Sequence, residues 1–367
     1  MLTVLHWAVL GVGWLMAAGT LASMTRHPHW AVRMWDFPRV QMVFLAALAG
    51  GLYAALFFDG EPRQWAFLAA VALTLALQLR KIVRYTPVAR AQVERARGHG
   101  DAPRFRLLIS NVLMENTEHD RFLRAVRAAD PDLVLAVEVD DAWNRAIQPL
   151  AKDYPHEVRR PQDNWYGMVL FSRLPLVDPR IDFLVQDDIP SVHTEVELPG
   201  GARFVLHGLH PRPPEPIRDQ SSTPRDAELV LVGRAIGDGP DTPTVVAGDL
   251  NDVAWSRTTE LFLRLSGLLD PRVGRGMFNS YNAKNPLFRY PLDHVFHSSH
   301  FRLVRLRRLP GIGSDHFPML VELSYEPDAT ATQDEPDEKP GDEREAAERL
   351  QEQAEAAATG ADRPKGE

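Results

Sequence analysis

The sequence contains no cysteine among its 367 residues. This absence excludes disulfide bonds, thiolate zinc sites and a cysteine nucleophile, and it leaves the redox compartment open. The length allows one sizeable domain with appendages, or two small domains.

The central part of the chain lacks the positive charge typical of proteins that grip long nucleic acids. Residues 104–325 carry 26 bases and 30 acids, a net charge of −4, whereas residues 1–103 carry ten bases and five acids, a net charge of +5. Contact with many phosphates normally requires a basic face. The composition therefore disfavours a protein whose main partner is nucleic acid.

Residues 326–367 have hardly any large apolar side chain and carry fourteen acids against five bases. Such a segment cannot bury enough apolar surface to offset the entropy lost on ordering. We therefore expect a disordered acidic tail, with transient helix over 343–358 because Ala and Glu favour helix.

Long hydrophobic runs are confined to residues 1–85, in the stretches 2–24, 40–58 and 65–79. About 20 apolar residues cross the hydrocarbon core of a bilayer, so the third stretch must borrow flanking residues. The first stretch lacks a positive n-region and is followed by further apolar segments, so we do not expect a cleaved signal. A transmembrane region of about three helices is predicted rather than buried helices of a soluble domain, since nothing nearby supplies polar faces to cover them.

Basic residues predict which side of the membrane the rest of the chain occupies. Arg26, Arg33 and Arg39 separate the first two stretches and six bases follow the third, whereas only Arg63 separates the second and third. The positive-inside rule then predicts a multi-pass bacterial inner-membrane protein, with the polar linker 86–103 and everything after it in the cytoplasm. If the third stretch does not cross, these residues lie on the other face.

Residues 104–325 alternate short β-branched runs with helical patterns, which indicates a mixed α/β domain. The predicted helices are 118–129, 141–150, 225–236 and 256–265. The predicted strands are 106–112, 133–139, 168–172, 194–198, 204–209, 244–247, 294–297 and 319–323. Several strands end at a polar residue followed by Pro, Gly or Asn, as expected where strands deliver side chains to a cleft.

Three polar motifs adjoin these strands. Asp249 and Asn251 follow 244–247 and point the same way in an extended chain, so a carboxylate that can deprotonate water lies beside an amide that can hold a phosphoryl oxygen. Asp293 begins a strand, and Asp315 with His316 precedes the last one. Singly, an Asx turn, a strand cap and a surface Asp–His pair explain them equally well. Together they are typical of a site that holds hard cations through oxygen ligands.

In this order the motifs resemble those of the endonuclease/exonuclease/phosphatase superfamily, which includes pancreatic deoxyribonuclease, exonuclease III-like repair enzymes, neutral sphingomyelinases and inositol polyphosphate 5-phosphatases. The resemblance covers roughly 104–325 and implies a four-layer α/β sandwich with two facing mixed β-sheets. The three membrane segments are similar to those preceding this domain in some bacterial members. The matching segments are Ser110-Asn111-Val112, Val137-Glu138, Tyr166-Gly167 to Ser172-Arg173, Leu209-His210-Pro211, Gly248-Asp249-Leu250-Asn251, Leu292-Asp293-His294-Val295-Phe296 and Ser314-Asp315-His316-Phe317-Pro318.

The chain departs from the superfamily pattern at three places. Val137 stands where Gln often precedes the metal-binding Glu, and Leu113 stands where repair nucleases have an acid. Asn279-Ser280-Tyr281-Asn282 replaces the Thr-Trp of many members. These departures weaken any carry-over of a repair nuclease's substrate preference.

The resemblance implies roles in metal-dependent hydrolysis of phosphate esters. Asp249 would orient or deprotonate the attacking water, and Asn251 would hold a non-bridging oxygen. His316, oriented by Asp293, would stabilise the transition state when protonated, and His210 would contact the phosphate or the leaving group. The candidate ligands of Mg²⁺ or Mn²⁺ are Glu138 first, then Asn111 and Asp315, while Arg212 and Tyr166 are weaker candidates for phosphate contact and the rim.

The expected protein is a membrane-anchored, metal-dependent phosphodiesterase or phosphatase. The acidic domain and the membrane region favour a lipid head group or a small phosphoester as substrate. A DNA or RNA nuclease is the main alternative, because a net charge does not reveal local basic patches. A catalytically silent membrane scaffold is a third alternative, and the complete set of site residues argues against it.

Overall fold

The three apolar stretches form long helices that pack against one another. The computed structural model describes residues 1–97, 102–215 and 221–362, and the helices are α1 (Leu2–Met24), α3 (Arg39–Leu56) and α4 (Pro62–Ile82). A short helix, α2 (Trp30–Arg33), and the 3₁₀ turn Met34–Asp36 join the first two. All three long helices are apolar enough to cross a membrane by length and composition. The third has 21 residues, so it reaches beyond the expected stretch at both ends.

Small residues let the three helices approach closely. An added Cβ at Gly13 would lie 2.5 Å from the ring of Phe67, and one at Gly19 would lie 2.2 Å from the ring of Trp35. Met42 and Tyr53 of α3 are buried in the same cluster. Close helix contacts at small residues are typical of helices that pack inside a bilayer.

The rest of the chain contains two mixed sheets. One has the strand order β10-β11-β1-β2-β4-β3 and the other has the order β5-β6-β7-β8-β9. The pairs β1–β2 and β7–β8 are parallel, and every other pair is antiparallel. The strands are β1 (Arg104–Asn111), β2 (Leu133–Val137), β3 (His156–Arg160), β4 (Met168–Ser172), β5 (Leu176–Asp182), β6 (Ser191–Glu197), β7 (Arg203–Leu209), β8 (Thr244–Asp249), β9 (Asp293–His297), β10 (Phe301–Arg308) and β11 (Met319–Tyr325).

Helices cover the outer faces of both sheets. The core between the sheets includes Phe105, Leu135, Leu206 and Val321. Outside the first sheet lie α5 (His119–Ala129) and α6 (Asp141–Ala146), and outside the second lie α7 (Thr223–Gly237) and α8 (Arg257–Ser266). The predicted four-layer sandwich with two facing mixed sheets, preceded by three apolar helices, is therefore confirmed.

Three strands, β3, β5 and β10, were not predicted, and all three lie at sheet edges. An edge strand has fewer neighbours to pack against, so it tolerates charged side chains and proline. Pro179 lies in β5, and four arginines lie in β10. Their sequences therefore lack the apolar runs that mark central strands.

The expected disorder of the acidic tail is wrong for residues 326–362. Helix α9 (Asp342–Thr359) packs on α7 and α8, with Ala346 buried beside Val230 and Leu261. Its acids form ion pairs with arginines of those helices: Arg264 Nε lies 2.6 Å from Asp342 Oδ2, and Arg257 pairs with Glu345. Composition counts acids but does not show their partners. Residues 363–367 lie outside the described part of the chain.

The α/β region sits directly against one end of the helix bundle. Trp255 Nε1 donates to the carbonyl of Asp36 at 2.7 Å, and Tyr85 Oη donates to the carbonyl of Ala254 at 2.6 Å. The predicted linker 86–103 also packs on this region, since Glu94 pairs with Arg302 at 3.0 Å. Residues 98–101 of that linker lie outside the described residues.

Candidate active site

Strand ends bring the predicted site residues to one edge of the sandwich. Asn111 ends β1 and Glu138 follows β2, its parallel neighbour. Asp249 ends β8 and pairs in register with Asp293 at the start of β9. Parallel strands end at the same edge of a sheet, so an alternation visible in the sequence becomes a cluster in space.

Two glycines allow the close approach of the loops that carry this cluster. A Cβ on Gly167, just before β4, would lie 1.9 Å from the carbonyl oxygen of Val139, and one on Gly248 would lie 1.9 Å from that of Leu209. Glu138 and Asn251 themselves have positive φ angles of 62° and 51°. Such backbone in non-glycine residues is uncommon and concentrates at functional sites.

A buried carboxylate–imidazole–carboxylate chain lies at the centre. His316 Nδ1 lies 2.8 Å from Asp293 Oδ2, and His316 Nε2 lies 3.5 Å from Asp249 Oδ2. Burial alone would lower the pKa of His316, but the negative charges of Asp249 and Asp293 outweigh it and raise this pKa to about 10. A protonated imidazole has no lone pair for a metal, so this trio is better suited to hydrogen bonding than to ligation.

A second group links the carboxylates through one amide. Asn111 Nδ2 donates to Glu138 Oε1 at 2.6 Å and to Asp249 Oδ2 at 3.0 Å. The backbone N–H of Met114 donates to Glu138 Oε2 at 3.3 Å. Desolvation raises the pKa of Glu138 to about 7, and the hydrogen bond from Asn111 opposes this rise.

His210 and Asn251 flank Asp249 on its other side. His210 Nε2 lies 3.9 Å from Asp249 Oδ2, and burial lowers the pKa of this histidine to about 4. Within the described residues its Nδ1 has no hydrogen-bond partner. The backbone N–H of Asn251 donates to Asp249 Oδ1 at 3.0 Å, and its Nδ2 donates to the carbonyl of Pro211 at 3.0 Å.

The weaker candidates lie at the edge of the cluster. The guanidinium of Arg212 is buried, pairs with Asp188 and lies 4.8 Å above the ring of Tyr166. It is therefore committed to protein groups rather than to a phosphate. Asp315 is half-buried and makes no ion pair within the described ranges, so its carboxylate is available to a ligand. The roles given to all these residues remain predictions.

Ser280 and Ser314 hold the cluster in place. Ser280 Oγ accepts from the N–H of Asp293 at 3.0 Å, and the ring of Tyr281 lies 5.0 Å from that of His316. Ser314 Oγ donates to the carbonyl of Asn111 at 2.9 Å and accepts from the N–H of His316 at 2.9 Å. Ser280 and Tyr281 stand where the Thr-Trp of many members was absent, which was the sequence signal for their position.

Sequence reasoning missed a pair of arginines at the rim. The guanidinium carbons of Arg289 and Arg308 lie 5.0 Å and 4.4 Å from the ring centre of Phe317, the residue after His316. Arg308 Nη1 donates to the carbonyl of Asn279, and neither arginine makes an ion pair within the described chain. Desolvation, with the nearby charge of Arg289, lowers the pKa of Arg308. No spacing in the sequence links the two arginines.

A cavity of about 330 Å³ opens onto the cluster and is lined by Glu138, His210 and Asn251. Trp165 and Glu115 form part of its wall, joined by a 2.6 Å hydrogen bond. Larger cavities exist elsewhere, but they contain none of the predicted site residues. The site is therefore small and polar, with room for a phosphate group and a water molecule.

The donors fit a hard divalent cation. Glu138 and Asp249 are carboxylates short of compensating charge, and one amide between them is their shared partner. Asn111 turns its NH₂ to both acids while its Oδ1 accepts from Leu113 N at 3.0 Å, so ligation through Oδ1 would require the amide to turn over. Glu138 is thus the stronger ligand candidate, and its oxygen donor suits Mg²⁺ or Mn²⁺.

The fold and the clustered acids, amides and histidines define a hydrolase of phosphate esters. A family model described as "Endonuclease/Exonuclease/phosphatase family" matches residues 108–316, and the chain belongs to this family. No curated protein matches the chain.

Solved structures with the same fold have low sequence identity to this chain. They include D. rerio TDP2 complexed with single strand DNA product (16% identity, 60% of this chain and 99% of that chain covered, TM-score 0.50). A Beutenbergia cavernae endonuclease/exonuclease/phosphatase shares 19% identity over 61% of this chain and 72% of that chain, with a TM-score of 0.48. The human Nocturnin catalytic domain with bound sulfate shares 18% identity over 62% and 96%, with a TM-score of 0.47. At such identities the likeness shows the fold alone.

Proposed function

We propose that the chain is a membrane-anchored, divalent-metal-dependent hydrolase of a phosphate ester presented at the membrane surface, either a lipid head group or a small phosphoester. The observation that carries this proposal is the buried cluster in which Asp249 meets His316, His210 and Asn111 within 3.9 Å. One carboxylate in contact with two imidazoles and an amide is suited to handle a water molecule and a phosphoryl oxygen together.

Each residue has a task that its surroundings support. Asp249 accepts the proton of the attacking water, because it is buried and its Oδ2 faces the cavity side of the cluster through His210. His316, kept protonated by Asp293, donates to the oxygen on which negative charge develops. Asn251 and neutral His210 donate to the remaining phosphate oxygens.

Glu138 would hold the metal ion, with Asp315 and Asn111 completing an oxygen donor set. When bound, Mg²⁺ or Mn²⁺ neutralises charge on the phosphoryl group and lowers the pKa of a water molecule. The placement of Glu138 on the cavity wall, across Asn111 from Asp249, puts such charge beside the proposed base.

A loop joins this site to the membrane helices and supports a substrate at the membrane surface. It begins at Tyr281, which packs on His316, and the carbonyl of Leu287 accepts a 2.7 Å hydrogen bond from Gln41 near the start of α3. Leu287 and Phe288 are 74% and 50% exposed. Apolar side chains exposed at the level of a predicted membrane span are stabilised by contact with lipid. The rim of the site would then lie against the bilayer.

The catalytic region is proposed to be cytoplasmic. It contacts the end of the bundle that carries Arg26, Arg80 and Lys81, while Arg63 lies at the other end. The positive-inside rule places the more basic end in the cytoplasm.

A nuclease is the second candidate, favoured by a basic groove on the outer face of the first sheet. This groove, of about 710 Å³, has five arginines and two acids on its walls. Arg124, Arg305 and Arg307 make no ion pairs within the described residues, and the wall segment 309–312 leads to Asp315. A strand of nucleic acid could follow such a path through its phosphates.

The deciding experiment uses the full-length protein in detergent micelles with Mg²⁺ or Mn²⁺. Sphingomyelin and other phospholipids in mixed micelles, inositol phosphates, plasmid DNA and RNA are offered separately, with Asp249→Asn as the inactive control. We expect metal-dependent hydrolysis of a lipid or small phosphoester that the control lacks. Cleavage of DNA or RNA alone would select the nuclease, and hydrolysis of none of them would reject the proposed function.

A further inference from the structure

A large cavity lies where the helix bundle meets the α/β region, away from the active site. It has a volume of about 920 Å³ and is enclosed by the ends of α1 and α4, by α8 and by the segment 336–342. It shares no lining residue with the active-site cavity. Nothing in the proposed hydrolysis uses it.

Basic residues dominate the wall, and part of their charge has no counterpart. Three bases are paired: Lys81 with Glu260 at 2.7 Å, Arg257 with Glu345, and Arg264 with Asp342 at 2.6 Å. Arg39 pairs with Asp36, and Arg26 with Glu348. Arg80 and Arg84 lie on the same face of α4, four residues apart, and neither makes an ion pair in the described ranges.

The acids that remain on the wall are poorly placed to neutralise these two arginines. Asp337 and Glu338 are exposed to water, and Lys339 follows them directly. Water and salt screen exposed charges strongly, whereas charges at the edge of a bilayer are screened less. The cavity therefore retains positive charge on its α4 side.

The position of the arginines along α4 sets the depth of the cavity in a membrane. Arg80 follows directly on the last residue of the apolar stretch 65–79, and Arg84 lies one turn further on. Apolar side chains Met24 and Leu77 share the wall with them. A wall that is apolar on one side and basic on the other matches the boundary between acyl chains and head groups.

We propose that this cavity binds the head group of an anionic phospholipid. Its phosphate lies between Arg80 and Arg84, and its acyl chains run along the exposed surfaces of α1 and α4. The inference rests on the membrane anchoring proposed above but not on the hydrolytic activity. Charge attraction of juxtamembrane arginines for anionic lipid is worth roughly a fivefold gain in affinity for each residue.

The test uses the full-length protein in zwitterionic detergent. Its melting temperature is followed as dioleoylphosphatidylglycerol, dioleoylphosphatidylcholine or inorganic phosphate is added. Phosphatidylglycerol should raise the melting temperature at concentrations at which the other two do not. Arg80→Gln/Arg84→Gln should weaken this response at least about tenfold, and Arg80→Lys/Arg84→Lys should restore most of it.

Arg63→Gln is the matched control, because Arg63 lies in the same helix at its other end and its side chain is 79% exposed. This variant should respond like the natural protein. Equal responses to the two lipids, or an undiminished response of the double glutamine variant, would overturn the proposal. An equal response to inorganic phosphate would also overturn it, in favour of a free-anion site. A protein that stays soluble without detergent and binds no lipid would instead reject the membrane anchoring.

Discussion

His316 Nδ1 lies 2.8 Å from Asp293 Oδ2, and both side chains are buried although 23 residues separate them. If the carboxylate orients and charges the imidazole, the two act as one unit. Asp293→Asn and His316→Ala should each lower kcat by roughly 10²–10⁴-fold. The double variant should be little worse than the worse single one, because residues that act together are non-additive. Steady-state kinetics with a thermal melt of each variant check this. Fully multiplicative losses in folded proteins would contradict the coupling.

Glu138 is expected to govern the requirement for metal. Chelation with EDTA should abolish hydrolysis, and added Mg²⁺ or Mn²⁺ should restore it. Glu138→Gln should raise the Mg²⁺ concentration needed for half-maximal activity by more than tenfold, because a neutral amide binds hard cations more weakly than a carboxylate. Glu115→Gln is the matched control, since Glu115 lines the same cavity. Full activity in excess EDTA would disprove the metal mechanism.

Arg289 and Arg308 should attract anionic substrate to the site from either face of Phe317. Replacing each with Gln should raise KM about three- to tenfold with little change in kcat, since one partly screened charge contributes about 1 kcal/mol. The difference from the natural protein should shrink at high salt. Arg127→Gln, an exposed arginine on α5, is the control. A fall in kcat at unchanged KM would assign these arginines to the chemistry instead.

Acid should destabilise the protein through two histidines far from the active site. His193 Nδ1 and His207 Nδ1 lie 2.6 Å apart on neighbouring strands, and burial lowers their pKa values to about 4 and about 3. Between these values and about 6.5 the unfolded chain binds more protons than the folded one, so stability falls as the pH drops. Each histidine contributes up to about 1.4 kcal/mol per pH unit in that window.

The measurement is urea unfolding between pH 7 and pH 5. His193→Gln/His207→Gln should lose less stability over this range than the natural protein. His27→Gln, which replaces an exposed histidine, should behave like the natural protein. Parallel curves for all three proteins would show that the buried pair does not cause the acid sensitivity.

The absence of cysteine makes the membrane topology directly measurable. Single cysteines introduced at Asp59, between α3 and α4, and at Lys152, in the α/β region, would be the sole thiols in the chain. A membrane-impermeant maleimide applied to intact spheroplasts should label Asp59→Cys and leave Lys152→Cys unlabelled until the cells are lysed. The reverse pattern would place the α/β region outside the cytoplasm.

The sequence was informative where one residue's position depends on its own strand. Asn111, Glu138 and Asp249 each stand at the end of a buried apolar run, and that pattern predicts both the strand and the edge at which the side chain emerges. The central strands and the candidate cluster followed from such local signals. The resemblance then supplied the facing arrangement of the two sheets, which the local patterns do not contain.

What could not be predicted depends on partners distant in sequence. The acids of α9 resembled a solvated tail until Arg257 and Arg264 were seen to pair with them. Arg289 and Arg308 meet over Phe317 only because two separate loops converge. Charge composition has no term for such pairing, so it predicted disorder and overlooked the basic rim.

The position of β11 has a consequence for the order of events during synthesis. This strand pairs with both β10 and β1, so the first strand of the α/β region gains its second neighbour from one of the last segments made. Ser314, which ties Asn111 to His316, lies just before it. A ribosome-bound chain therefore has its helices ready for the bilayer long before Asn111 can meet His316. The hydrolase stays inactive until it has been delivered to its membrane.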